Sequence, residues 1–130
     1  MANFRTPLSQ ARGLGSAKHG VGHWIAERVS AVALVPLTLW AVYGVLRLAA
    51  GDYGFAVHWL QDPLNAVLVV LTIAISSWHM HAGVRVVIED YIHKALTKTG
   101  LLLINLFVCG LSGALAIFSI LKVALSGGAY

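Results

Sequence analysis

Three stretches without a single Asp, Glu, Lys or Arg run through this chain, at residues 29–46, 64–78 and 100–121. The second resumes as an apolar pattern past His79 and His81 as far as Ile88. A hydrocarbon core of about 30 Å is crossed by about 20 helical residues, so each stretch is long enough to span. The alternative, three buried helices of a soluble globule, fails on size. A chain of 130 residues that is 58% hydrophobic and 11% charged has too little polar surface to cover three such cores, where a soluble domain carries roughly 25% charge. The sequence therefore predicts an all-α membrane protein with three transmembrane helices, at about 24–50, 63–89 and 99–125. All 130 residues form one membrane domain, with an arm at 1–22. Pro7 and the glycines 13, 15, 20 and 22 suggest that this arm is extended, and Pro36 is expected to kink the first span. With 28 residues before it and no A-x-A site after it, that span does not read as a cleavable signal.

The cations report orientation. Arg5, Arg12, Lys18, Arg28, Arg85, Lys94 and Lys98 fall on one side of the three spans, and only Arg47 and Lys122 on the other. Lys and Arg accumulate on the cytoplasmic side, which places the N-terminus there and the C-terminus in the periplasm. The loop at 51–63 is then external, and its Tyr53, Phe55 and Trp59 suit an interfacial aromatic belt. A net charge of +4 spread this way makes no nucleic-acid patch, and the single Cys109 excludes a disulfide framework. In the third span Gly110 with Ala114, and Cys109 with Gly113, are small-residue pairs that permit close helix packing.

Polar groups inside a span are expensive, so each one that remains is a candidate for function. If the cytoplasmic interface lies near Ile88, His79 is nine residues, about 13 Å, inside the bilayer, where the neutral imidazole is favoured. Gly83, Val86 and Asp90 follow at +4, +7 and +11, all on one stripe of the helix. His81, at +2, points about 200° away. An imidazole with a bare backbone position one turn on would suit a flat macrocycle that needs an axial ligand and clearance for its edge. The plainer reading is a buried histidine bonded to a Ser or a carbonyl of a neighbouring helix. His81 reads as interhelical polar contact, and Met80 as packing. No second histidine can oppose His79: His19 and His23 are too shallow, and His58 and His93 lie outside the spans. A six-coordinate haem would take its other ligand from another chain.

At the cytoplasmic end of the same helix come Arg85, Glu89, Asp90 and Tyr91. They suit an interfacial cap with an Arg85–Glu89 pair at i, i+4. They equally suit a quinone site, where a Tyr hydroxyl donates to a carbonyl and a carboxylate links to water.

On these residues the chain resembles the small hydrophobic membrane-anchor subunit of succinate dehydrogenase, complex II, of the cytochrome b type. The pattern H-x3-G-x6-D-Y is met by His79, Gly83, Asp90 and Tyr91, and H-W-x3-R-[VA]-[ST]-A by the segment from His23 through Arg28 and Ser30 to Ala31. The resemblance covers about 20–121 and extends to the number, order and orientation of the spans. It implies that His79 is an axial ligand of haem b and binds its iron, the second ligand coming from a larger cytochrome b subunit. It implies that Tyr91 donates to a ubiquinone carbonyl, that Asp90 supports that site, and that Arg28 lies near the haem propionates. It further implies an iron–sulfur subunit and a flavoprotein subunit on the cytoplasmic face of a bacterial inner membrane, feeding electrons from the tricarboxylic acid cycle to quinone. The chain itself carries neither a Gly-rich dinucleotide fingerprint nor a cysteine set for clusters, so catalysis would belong to the complex. The competing expectations are a haem-free anchor of a fumarate reductase-like or other membrane enzyme, and an accessory subunit of a transporter.

Overall fold

The computed structural model describes residues 6–13 and 20–126. Five helices follow in order: α1 (Pro7–Arg12), α2 (Gly20–Ala49), α3 (Tyr53–Gln61), α4 (Pro63–Tyr91) and α5 (Ala95–Ala124). Among the described residues there is no strand. α2, α4 and α5, of 30, 29 and 30 residues, are each long and apolar enough to cross a membrane, so the three expected spans are present. The extended arm is corrected in part: Pro7–Arg12 is helical, and α2 already begins at Gly20. A proline is well tolerated at a first helical position because its missing N–H has no partner there anyway. Arg5, Gly15, Lys18 and His19 lie outside the described residues. Helix α2 runs through Pro36 without interruption. Two residues on, the Thr38 hydroxyl bonds back to the carbonyls of Leu34 and Val35.

α4 is the central helix, packed on α5 along one side and on α2 along another. Few residues are buried, and most of those are small or polar: Ser30, Gly44, Ala66, Ala82, Ile88, Asn105, Cys109 and Gly113. This is the packing expected where lipid removes the hydrophobic drive and helices associate by close backbone approach and polar contacts. The tightest approach is at Gly113, where an added Cβ would lie 2.7 Å from Ser77 Oγ and 3.1 Å from Ser77 Cβ. Of the two small-residue pairs, Cys109 and Gly113 thus form the α4–α5 seam, whereas Gly110 and Ala114 stay exposed beside it.

The α4–α5 connection is three residues long, which makes the two helices antiparallel neighbours. Lys98 Nζ donates to the Glu89 carbonyl at 2.9 Å, closing the end of α4 with a cation from the first turn of α5. At the opposite end, Asp52 caps α3 and Asp62 caps α4, the latter accepting from Leu64 N and Asn65 N at 3.0 Å each. The 51–63 connection therefore contains a helix, and its aromatics divide. Tyr53 is exposed, but Trp59 stacks on Trp40 of α2 at 5.6 Å over the buried Gly44. Phe55 closes over Gly51. Trp59 and Phe55 thus have seats within the chain, and Tyr53 is left as the exposed aromatic of this segment.

Candidate functional site

α2 and α4 cross where Ser30 meets His79, Oγ to Nδ1, at 2.9 Å. Ser30 is also 2.8 Å from the Glu27 carbonyl one turn back on its own helix. A hydroxyl has one proton, and a carbonyl can only accept, so Ser30 donates to Glu27 and accepts from His79. Counting donors in this way assigns the ring proton of a neutral His79 to Nδ1. Nε2 then carries the lone pair, and no described residue bonds to it. The plainer expectation for His79 is met, a bond to a serine of a neighbouring helix, and no described residue occupies its other nitrogen.

The stripe predicted on α4 is open. An added Cβ at Gly83 would meet nothing within 4 Å. His79, Gly83 and Val86 are half-buried and Asp90 is exposed, while the buried positions of this helix, Ala66, Ala82 and Ile88, point elsewhere. Among the described residues no three His, Cys, Asp or Glu converge as a metal site. A metal held through one side chain of this chain, within a planar macrocycle lying along bare backbone, fits these residues.

His81 is bonded the other way round. Asn105 of α5 donates to the His81 carbonyl at 3.0 Å and its Nδ2 lies 3.1 Å from His81 Nδ1. Its Oδ1 accepts from Cys109 Sγ at 3.3 Å. With the amide donating, His81 Nδ1 accepts and the proton of the neutral ring sits on Nε2. The two histidines thus hold opposite tautomers. His81 is interhelical polar contact, as expected, and only His79 offers the Nε2 lone pair usual for a ligand. Beside His81, the surface between α4 and α5 forms an apolar groove of about 350 Å3, with Trp78 on one wall and Gly110 in its lining.

At the far end of α4, Arg85 Nε donates to Glu89 Oε1 at 2.8 Å. The expected i, i+4 pair is present, and its partners are exposed enough that it contributes no more than about 0.5 kcal/mol. Tyr91 is 78% exposed. Its ring borders a concavity of about 300 Å3 with Ile92, His93, Lys94 and Thr97. Asp90 precedes it on the His79 stripe, about 16 Å along the axis from that histidine. Arg28 is not brought to His79. It lies over the Trp24 ring at 5.4 Å, about 200° round α2 from Ser30.

Three participants escaped sequence reasoning. Ser30 was visible as a motif position without a role. Asn105 is the only amide in the 100–121 run, which is a signal by itself, since a buried amide needs partners. His93 lies beyond the span in sequence, yet it lines the same concavity as Tyr91.

The family described as "Succinate dehydrogenase/Fumarate reductase transmembrane subunit" matches residues 2–121. A succinate dehydrogenase hydrophobic membrane anchor subunit of Rickettsia conorii is 37% identical over 108 residues, covering 81% of this chain and 85% of the relative. The protein of the same description from Paracoccus denitrificans is 29% identical over 122 residues, covering 94% of each. A succinate dehydrogenase membrane anchor subunit of Reclinomonas americana is 29% identical over 84 residues, covering 62% of this chain and 70% of the relative. With three membrane-length helices and this extent of match, the chain belongs to the succinate dehydrogenase/fumarate reductase transmembrane subunit family.

Proposed function

We propose that this chain is the small membrane-anchor subunit of a succinate:quinone oxidoreductase in a bacterial inner membrane, with its N-terminus in the cytoplasm. It holds haem b jointly with a larger cytochrome b subunit and forms part of the ubiquinone-reduction site. Flavoprotein and iron–sulfur subunits docked on the cytoplasmic face oxidise succinate and deliver the electrons. The observation that carries this reading is the Ser30–His79 contact beside the open position at Gly83.

Each residue has a defined task. His79, with its Nε2 unpartnered among the described residues, would hold the haem iron, and Gly83 would leave bare backbone for the edge of the ring. Haem b, when bound, supplies a one-electron store beside the quinone site. Arg28, exposed on α2 with its guanidinium over the Trp24 ring, would offer that charge to a propionate carboxylate. Reduction of a quinone takes two electrons and two protons. Tyr91, exposed at the end of α4, donates its hydroxyl proton as a hydrogen bond to a quinone carbonyl and so fixes the head group. Asp90, exposed beside it, connects that carbonyl to water on the cytoplasmic side. α2, α4 and α5 keep their apolar side chains outward, leaving the approach from the bilayer open to an isoprenoid tail.

The test is the complex purified through a tagged copy of this chain. A b-type band in the reduced-minus-oxidised spectrum that is lost with His79→Ala and kept with His81→Ala is the expected result. Tyr91→Phe should lower quinone reduction while succinate oxidation by an artificial dye continues. A complex without the band is a haem-free anchor and refutes the haem assignment. Normal quinone reduction with Tyr91→Phe removes Tyr91 from the site.

A further inference from the structure

The Ser30 hydroxyl has a direction imposed on it, and that direction has a consequence for iron. Its proton is committed to the Glu27 carbonyl, so its oxygen can serve His79 only as an acceptor. Ser30 is buried, at 8% exposure, which limits competing acceptors. A serine free to rotate could donate to Nδ1 as readily as accept from it, and would leave the ring in either tautomer. Held by Glu27, it selects the tautomer whose Nε2 is a ligand.

We infer that Ser30 is a positioning residue for His79: it fixes the ring orientation and the Nδ1–H tautomer, and raises the basicity of Nε2 toward the haem iron. The inference rests on the proposed role of His79 and adds the group that prepares it. Ligating histidines generally spend their second nitrogen on a carboxylate, a carbonyl or water. Here that partner is a neutral hydroxyl from another helix, so ligand geometry is coupled to the α2–α4 crossing itself. A hydrogen bond accepted from Nδ1–H adds electron density to the ring and favours ferric over ferrous iron. Losing it should raise the midpoint potential of the haem. Loss of such a partner typically weakens metal retention about 10- to 100-fold.

The experiment compares Ser30→Thr with Ser30→Val in the whole complex, because these two side chains share a shape and differ in the hydroxyl. Haem per complex, the midpoint potential and the position of the b-type band are measured. The Thr form should match the unsubstituted complex. The Val form should lose haem more readily by about 10- to 100-fold and show a higher potential in the haem that remains. Nitrogen-15 NMR of histidine-labelled, unsubstituted complex reads the protonated ring nitrogen directly, with Nδ1 expected for His79. Equal haem retention and equal potential in the Val and Thr forms overturn the role of Ser30, as does a proton on Nε2, whether or not the Val form assembles. Absence of haem from the unsubstituted complex overturns the reading of His79 itself, and the inference with it.

Discussion

Replacing Gly83 by leucine separates a glycine kept for the fold from one kept for a ligand. Within this chain the first added carbon meets nothing within 4 Å. Removing a glycine from a helix interior should also stabilise the chain, by about 0.5–1 kcal/mol. Against a macrocycle lying on the bare backbone, the same side chain is an overpacked one, costing about 1–3 kcal/mol. At about 1.4 kcal/mol per factor of ten, haem retention should fall about 5- to 150-fold. The assay is haem per mole of complex, with the thermal midpoint in detergent and the co-purification of partner subunits read on the same preparation. The expected outcome is an assembled complex, no less stable than the unsubstituted one, with its b-type band strongly reduced. Full haem content in the Gly83→Leu form would show that the open stripe is not haem clearance. Loss of the partner subunits together with the haem would refute the reasoning as well, because protein would then be what packs there.

The other glycine of interest should behave in the opposite way. Gly113→Ala places a methyl 2.7 Å from Ser77 Oγ, and an overpacking cost of about 1–3 kcal/mol outweighs the propensity gain of at most about 1 kcal/mol. A lower thermal midpoint, partly restored by adding Ser77→Ala, is expected; equal effects in both backgrounds would rule out the contact. Asn105→Leu removes two interhelical hydrogen bonds, worth about 0.6 kcal/mol each in a membrane. It should lower stability by about 1 kcal/mol and leave the haem spectrum unchanged, so an altered b-type band would assign His81 a part in ligation. Asp62→Ala uncaps α4 and should cost about 1 kcal/mol, largely recovered with Asp62→Asn. A loss no smaller in the Asn form would trace the effect to charge rather than to the cap.

Part of the site was legible before any folding. His79, Gly83, Val86 and Asp90 share a stripe because they share a helix, and 3.6 residues per turn suffices to say so. The Arg85–Glu89 pair and the divergence of His81 from His79 follow from the same arithmetic. What resisted was every relation between helices. The hydrogen bond from His79 to Ser30 joins residues 49 apart, and that from Asn105 to His81 joins residues 24 apart. Neither distance in sequence has a periodicity to reveal it. Trp59 illustrates the same limit at smaller scale: an aromatic in the loop between two spans suits an interface belt until a glycine-lined seat beside Trp40 competes for it.

The sequence alone determined that this chain is a membrane protein of three spans, and which few polar groups lie within them. Both follow from the cost of leaving charge or unpaired backbone in hydrocarbon, a constraint that acts residue by residue along the chain. Tertiary structure decided which nitrogen of each histidine carries the proton. That depends on whether the neighbouring helix presents a hydroxyl already committed to a carbonyl, as Ser30 is to Glu27, or an amide that donates, as Asn105 does. Two imidazoles two residues apart thereby become chemically different groups, one suited to ligation and the other to joining helices.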